Sequence, residues 1–197
     1  FLPLKFIVAG KEDLMRLAAF LLLGFATISS LAQCNFVKIA AGSHHTIALR
    51  NDSTVWSWGK NHHGQLGDGT TVDKHTPSYV LDSDSTGILD SIISIAAGGL
   101  HTVALKSDGT VWAWGENCAG QLGNDTSGGS WTDFDSTIDS KIPLQVLGPG
   151  GVGHLDSITE IAAAGIFMWA HTVALKSDGT VWAWGSNTHG QLGDGTT

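Results

Sequence analysis

Histidine and tryptophan side chains recur at matching places along this 197-residue chain, and both types could carry chemistry. Histidine binds metals and transfers protons, and paired tryptophans can stack on sugars. Copies in successive structural units lie far apart, whereas a metal site needs three or four converging ligands. We therefore predict that each histidine ring N–H bonds the backbone of its own unit, and that the tryptophans are buried between units. These side chains are His45, His101 and His171, with the pairs Trp56 and Trp58, Trp112 and Trp114, and Trp182 and Trp184.

A Gly-Gln-Leu-Gly sequence follows every tryptophan pair and could suggest a phosphate-binding loop. It lacks the Lys-Ser/Thr and the helix that such a loop requires. The glycines are therefore expected to supply positive φ in a turn, and Leu66, Leu122 and Leu192 to fill the space between units. The glycines are Gly64, Gly67, Gly120, Gly123, Gly190 and Gly193.

These motifs belong to a unit that is present in three copies. Residues 101–115 recur letter for letter at 171–185, and the copy at 45–59 differs at five of its fifteen positions. Internal repetition of this kind indicates stacked copies of one supersecondary structure. The predicted units span residues 36–81, 91–147 and 157–197.

Strands and turns must position the repeated side chains. Alternating apolar residues rich in Val, Thr and Trp predict strands. Asp108-Gly109 and Asp178-Gly179 are strong two-residue hairpin turns. Asp52-Ser53 takes their place in the first copy, and serine is a poorer residue for positive φ, so a looser turn or another turn type is expected. Proline within 76–80 and 142–146 fits an edge strand, which places the outer strand of the first two units there.

The hairpin register predicts how units pack. A two-residue loop at Asp108-Gly109 gives the sheet one bulky and one small face. The bulky face of one unit can dock on the small face of the next, which favours a β-propeller. The predicted fold class is all-β, with four-stranded antiparallel blades. The bulky residues would be Val103, Leu105, Trp112 and Trp114, and the small ones Ala104 and Ala113.

The units contain, in order, the sequences Ile-Ala-Ala-Gly, His-Thr-x-Ala-Leu, Asp-Gly-Thr-Val-Trp-x-Trp-Gly, Asn-x-x-Gly-Gln-Leu-Gly and Thr-Pro. Together they resemble the regulator of chromosome condensation repeat family over about residues 36–197. The resemblance implies a propeller, commonly of seven blades, of which about two and a half to three are present here. The sequence stops at Thr197, before the last strand of the third unit. We therefore expect a fragment whose remaining blades belong to its full-length chain.

Interruptions of the repeat are the better candidates for function, because packing alone does not explain them. Loops on a rigid scaffold commonly hold binding surfaces, and Trp and Phe are frequent interface anchors. Binding of a partner is therefore predicted for these aromatic residues, and a local cap is the alternative. The candidates are Trp131 and Phe134 within 124–140, and Ile166, Phe167, Met168 and Trp169 within 164–170.

Other polar groups carry weaker signals. The aspartates Asp125, Asp133, Asp135 and Asp139 could hold calcium, but their spacing does not match an EF-hand loop. Adjacent residues diverge in direction, so His62 and His63 are expected at the surface rather than on one metal. Cys118 is expected to be a free small residue. No cofactor, no metal and no catalytic site is predicted.

The N-terminal part of the chain has the elements of a secretory signal. Met15 and Arg16 precede an uncharged stretch that ends in small residues, and cleavage after Ala32 would satisfy the small-x-small rule. Lipid attachment at Cys34 and an uncleaved anchor are the alternatives. We predict an upstream extension over 1–14, a signal peptide over 15–33 and the repeat domain over 34–197, with no membrane span after cleavage.

Charge and composition limit the function. The net charge is −8, and the basic residues are scattered singly, which disfavours nucleic-acid binding. We expect a non-catalytic scaffold, secreted or at the cell surface, that binds a protein or a surface glycan. The family's namesake implies an alternative, guanine-nucleotide exchange on a small GTPase. Inhibition of an extracellular enzyme, and targeting of a larger enzyme, are further alternatives.

Overall fold

The computed structural model describes residues 35–128 and 138–197, and their strands form three antiparallel sheets. The predicted extension, the signal peptide and Cys34 lie outside the described residues. The strands are β1 (Phe36–Ala41), β2 (His45–Arg50), β3 (Val55–Gly59), β4 (Lys74–Tyr79), β5 (Ile92–Ala97), β6 (His101–Lys106), β7 (Val111–Gly115), β8 (Ser140–Gln145), β9 (Ile158–Ala164), β10 (His171–Lys176) and β11 (Val181–Gly185). Short 3-10 turns occupy Pro149–Gly151 and Phe167–Trp169. Among the described residues, no helix is long and apolar enough to cross a membrane.

Each sheet is a meander of consecutive strands, which we call a blade. Blade 1 has the order β1-β2-β3-β4, blade 2 the order β5-β6-β7-β8, and blade 3 the order β9-β10-β11. The proline-containing strands β4 and β8 lie at the outer edges, where a missing N–H breaks no inner ladder. The predicted all-β fold of antiparallel blades is confirmed.

The predicted hairpin register is wrong by one residue. Leu105 pairs with Val111 and Ala104 with Trp112, because the loop has three residues rather than two. The Lys106 N–H donates to Thr110 O at 2.9 Å, and the Gly109 N–H donates to Lys106 O at 3.0 Å. Gly109 has φ +83°, so a tight turn is followed by a residue in the left-handed region, the three-residue hairpin with a glycine bulge.

The hairpin of blade 1 uses the same turn, and the expected change of turn type is also wrong. Ser53 has φ +65°, and its N–H donates to Arg50 O at 3.0 Å, as Gly109 does in blade 2. The Asp52 carboxylate accepts bonds from the Thr54 N–H and hydroxyl at 3.1 and 2.6 Å. These bonds hold the serine in a conformation that glycine adopts more readily.

The corrected register gives each blade two unlike faces, and it separates the tryptophans from the aliphatic residues. The aliphatic face carries the histidine, Val103, Leu105 and Val111 in blade 2 and their counterparts elsewhere. The tryptophan face of blade 2 carries Trp112 and Trp114 together with Ile95, Thr102 and Ala104, and the other blades carry their counterparts. Ile47, Leu49 and Val55 of blade 1 thus pack on Ile95, Ala104 and Trp114 of blade 2.

The same contact recurs between blades 2 and 3. Val103, Leu105 and Val111 pack with Ile161 and Ala174, and Trp182 and Trp184 lie against this cluster. Each aliphatic face therefore packs on the tryptophan face of the following blade. Leu66 and Leu122 are fully buried, which agrees with the prediction that they fill the space between units.

Candidate binding surface

Two of the repeated histidines, His45 and His101, form hydrogen bonds between blades rather than within them. The Thr102 hydroxyl donates to Gln65 O at 2.9 Å, so it accepts from His45 Nε2 at 2.9 Å. The same pattern joins His101 to Thr172 at 3.2 Å. The expected bond to the backbone of the same blade is therefore wrong for His45 and His101, because the aliphatic face points the ring at the neighbouring blade. His171 differs, since its Nδ1 lies 3.5 Å from Trp169 O of its own blade.

Close packing keeps these rings uncharged. A Cβ on Gly42 would lie 2.2 Å from His45 Cε1, and one on Gly98 would lie 2.1 Å from His101 Cε1. Burial, together with neighbouring histidines, holds the pKa of His45 at about 4 and that of His101 at about 3, below the ordinary 6.5. Neither Nδ1 atom has a hydrogen-bond partner within the described residues.

The tryptophan pairs divide into an inner and an outer member. Trp114 is fully buried, and its Nε1–H donates to Gln65 O at 3.0 Å. Trp184 repeats this bond to Gln121 O at 3.0 Å. Trp112 is half-buried, and the Lys106 ammonium lies 5.0 Å from the centre of its ring. These contacts are structural ones for Trp112, Trp114 and Trp184, of which Trp114 is fully buried.

The Gly-Gln-Leu-Gly sequences form turns, and the first two present the carbonyls of Gln65 and Gln121 to the next blade. Every glycine of these sequences has positive φ, between +62° and +81°, as predicted. A Cβ on Gly67 would lie 2.7 Å from Trp114 Nε1, so the inner tryptophan also needs a glycine beside it. The repeated motif is thus fully used in joining blades, and no group of metal-binding side chains occurs among residues 35–128 and 138–197.

The insertion in blade 3 is the best-defined candidate surface. It forms a 3-10 turn over Phe167–Trp169, and Phe167 has φ +53°. The Phe167 N–H donates to Glu116 Oε2 at 3.0 Å, and its ring lies edge-on to His63 at 6.3 Å. Met168 is half-buried, whereas Trp169 is 40% exposed.

One backbone bond connects the insertion to blade 2, and a second connects blade 2 to blade 1. The Gly99 N–H donates to Gly165 O at 2.6 Å, and the Ser43 N–H donates to Gly99 O at 3.1 Å. The insertion therefore contacts the loop between the first two strands of blade 2, and that loop contacts its counterpart in blade 1. Phe167 folds back against the scaffold, as a cap would, while Trp169 remains accessible.

A buried polar cluster supports this turn. His63 Nδ1 donates to Asp139 Oδ2 at 2.8 Å, and this hydrogen bond raises the pKa of His63. Burial raises the pKa of Glu116, an effect that the charge of His63 and the Phe167 N–H oppose. The Asn117 N–H donates to the second Asp139 oxygen at 3.0 Å. The cluster thus joins blades 1 and 2 beneath the insertion.

The remaining candidate residues lie as expected where they are described, except His63. His62 is exposed, as predicted, but His63 is half-buried in the cluster. Cys118 is a free cysteine, and burial, with the nearby Glu116 charge, raises its pKa to about 12. A thiol with this pKa stays protonated and unreactive. Trp131 and Phe134 lie outside the described residues, so their predicted role stays a prediction.

Glu116 supports the candidate surface, and the sequence did not single it out. It follows β7 at the place where blade 1 has Lys60 and blade 3 has Ser186. This departure from the repeat was the available signal, because repeated packing cannot account for a residue type that changes from blade to blade.

An open groove of about 540 Å³ runs along β11 in blade 3. It is lined by Trp182, Trp184, Gly120 and the turn over Pro149–Gly151. The corresponding place along β7 in blade 2 is filled, since the backbone of Lys141 from β8 lies against Gly64 of blade 1. The edge of β11 pairs with no fourth strand in the described part of the chain.

Comparisons with known proteins agree with this architecture. The model of the regulator of chromosome condensation repeat matches residues 52–105 and 108–175, and a second model of the same repeat matches 36–65, 92–121 and 169–191. The human protein "Probable E3 ubiquitin-protein ligase HERC6" is 36% identical over 94% of the chain. The Arabidopsis thaliana "Ultraviolet-B receptor UVR8" is 33% identical over 85% of the chain. The matches cover only 16% and 33% of those two proteins.

Solved structures show the same fold. Human WBSCR16 matches 78% of the chain with a TM-score of 0.60 and 27% identity, over 33% of its own length. Prp20p of Saccharomyces cerevisiae matches 80% of the chain with a TM-score of 0.57 and 26% identity, over 32% of its length. The family-model matches, the blades and the contacts between blades all agree. The chain therefore belongs to the regulator of chromosome condensation repeat family.

Proposed function

We propose that this protein is a non-catalytic scaffold that binds a protein partner through the insertion at 164–170. The observation that carries the proposal is the anchoring of the Phe167–Trp169 turn. Glu116 and the backbone of Gly99 fix it to blade 2, and His63 packs against it from blade 1, while Trp169 is 40% exposed. A large aromatic side chain on a pre-ordered turn binds with little loss of conformational entropy, which favours an anchor.

Relatives support a binding role without naming the partner. The structure of Prp20p was described together with its binding to Gsp1p and histones. HERC6 is named as a probable ubiquitin ligase, and the chain covers 16% of its length. A binding module can therefore be part of a much larger protein. We further propose secretion or exposure at the cell surface, which rests on the signal-like residues 15–33.

Loss of the anchor tests the proposal. Trp169→Ala should reduce capture of the partner about tenfold, the usual effect of removing an interface anchor. Val152→Ala is the matched control, since Val152 is exposed but lies outside the insertion. The measurement is quantitative mass spectrometry of proteins retained by each form of the full chain. Equal retention by the wild type and Trp169→Ala would reject the insertion as the binding surface.

Nucleotide exchange on a small GTPase is the second candidate function, favoured by the likeness to Prp20p. It requires accelerated release of labelled GDP from a GTPase when the full chain is added. The scattered basic residues and the signal-like segment argue against it. Accelerated release would rank exchange above the scaffold role.

A further inference from the structure

The turn between β2 and β3 departs from the repeat at two of its positions. Blades 2 and 3 have Ser-Asp-Gly in this turn, at 107–109 and 177–179, whereas blade 1 has Asn-Asp-Ser at 51–53. The serine is strained, because Ser53 has φ +65° at a place where Gly109 has φ +83°. The turn itself does not require the serine, since the Gly109 N–H donates the same hydrogen bond in blade 2.

The two changes together create an Asn-x-Ser sequence. Asn-x-Ser or Asn-x-Thr, with any residue except proline in the middle, is the acceptor sequence for an N-linked glycan. It requires both an asparagine and a hydroxyl two residues later, so neither change produces it alone. We propose that Asn51 carries an N-linked oligosaccharide. This inference rests on the proposed secretion, because such glycans are attached to surface loops of secreted proteins.

The surroundings of Asn51 suit a large hydrophilic group. Asn51 is exposed, and its counterpart Ser107 is exposed although blade 2 packs against a blade on either side. Exposure at this turn therefore belongs to the repeat and does not depend on how many blades flank it. The Asn35 N–H donates to Asn51 Oδ1 at 3.1 Å, and this bond uses the oxygen, which glycosylation leaves unchanged.

The modification is a transfer of an oligosaccharide to nitrogen. The donor is an oligosaccharide held on a lipid pyrophosphate. Asn51 Nδ2 forms a bond to C1 of the first sugar, and the bond from C1 to the pyrophosphate oxygen breaks. The lipid pyrophosphate leaves with that electron pair, and a base of the transferase takes one amide proton. The bulky, hydrophilic product then covers the hairpin end of blade 1.

A second sequence of this type is less suited to modification. Asn-Asp-Thr at 124–126 stands where blade 1 has Asp-Gly-Thr at 68–70. Asn124 Oδ1 accepts a hydrogen bond from Asn117 Nδ2 at 2.9 Å, within the loop that follows β7. The counterpart Asp68 has a side chain that is only 9% exposed, in a blade with all four strands. A glycan at this place would have to be buried, so we expect one at Asn51 alone.

The glycan and the insertion lie at opposite ends of the blades. In an antiparallel meander, the first and second connections leave the strands at opposite ends. Asn51 lies in the second connection of blade 1, whereas the insertion at 164–170 lies in the first connection of blade 3. Backbone bonds join the first connections of the three blades to one another, so these share one end. A glycan on Asn51 therefore leaves Trp169 accessible to a partner.

Cell-free translation of the full chain with endoplasmic reticulum microsomes tests the proposal. The wild type should resist added protease and shift to higher mass, and peptide N-glycosidase F should reverse the shift. Asn51→Gln should lose the shift but keep the protease resistance. Ser53→Gly is the sharper variant, because it keeps the asparagine and restores the glycine of the other blades, and it should also lose the shift. Asn124→Gln is the matched control and should shift as the wild type does.

The two readouts separate the glycan site from secretion. A protease-resistant wild type without the shift would overturn the site and leave the proposed secretion standing. A wild type that the protease digests would overturn both proposals. A shift that persists in Asn51→Gln or in Ser53→Gly, or that disappears in Asn124→Gln, would overturn the assignment to Asn51.

Discussion

Acid should destabilise this protein through its buried histidines. The pKa of His45 is about 4 and that of His101 about 3, whereas both titrate near 6.5 in the unfolded chain. The folded-state pKa is lowered, so below pH 6.5 the unfolded state binds more protons than the folded state. The free energy of unfolding therefore falls as the pH falls from 6.5 towards 4 for His45 and towards 3 for His101.

The size of the effect follows from the two pKa values. Each pKa unit of difference corresponds to about 1.4 kcal/mol, so each histidine lowers the free energy of unfolding by about 2 kcal/mol between pH 7 and pH 5. The two together lower it by about 4 kcal/mol, a large fraction of the stability of a typical domain. Near pH 5.5 the expected slope from the pair is about 2.4 kcal/mol per pH unit.

Replacing one histidine isolates its share. His101→Gln removes one titrating ring, so the slope near pH 5.5 should be lower than that of the wild type by about 1.2 kcal/mol per pH unit. The slopes are measured by urea unfolding, followed by tryptophan fluorescence, between pH 5 and 6.5. Glu116 and His63, whose pKa values are raised, contribute equally to both proteins and cancel in the difference. His75→Gln, which replaces an exposed histidine, is the control.

An unchanged slope in His101→Gln would refute the reasoning. It would mean that the His101 ring takes up its proton in the folded protein, and hence that burial does not exclude the charged form. A slope reduced equally by His75→Gln would also refute it, because burial would then not be the cause.

Three further changes test the local contacts. Ser53→Gly should raise the free energy of unfolding by about 0.5–1 kcal/mol in urea titration, because it relieves a positive φ; a destabilised variant would contradict the turn assignment. Gly98→Ala should lower it by about 2 kcal/mol or more, because the new Cβ would meet the buried His101 ring; wild-type stability would show that the ring moves freely. Glu116→Gln should speed hydrogen exchange over 164–170, because the carboxylate that accepts the Phe167 N–H loses its charge; unchanged exchange would show that Glu116 does not hold the turn.

Local sequence signals predicted the blades and their edges well. Repetition, alternation and the prolines of β4 and β8 are properties of short segments, and they determined strand type and order. The register was mispredicted because Asp-Gly occurs both in two-residue turns and in three-residue turns with a glycine bulge. The extra residue moves Trp112 and Trp114 to the face opposite Val103 and Leu105.

Contacts between distant segments could not be predicted. Whether His45 bonds its own backbone or Thr102 depends on how two blades meet, which no single repeat encodes. The approach of Phe167 to Glu116, 51 residues away in sequence, depends on the stack as a whole. The turn at Ser53 was mispredicted for a local reason. Residue propensity disfavours serine at positive φ, but the hydrogen bonds of the neighbouring Asp52 carboxylate keep the turn in that conformation.

Photocrosslinking at the insertion tests the central claim most directly. A photoreactive phenylalanine derivative replaces Trp169 in one full-length sample and Val152 in another, and both are irradiated with the native extracellular or surface fraction. The scaffold function predicts one protein crosslinked at position 169 and absent at position 152. Crosslinks of equal yield at the two positions, or none at 169, would contradict the claim that this turn is the binding surface.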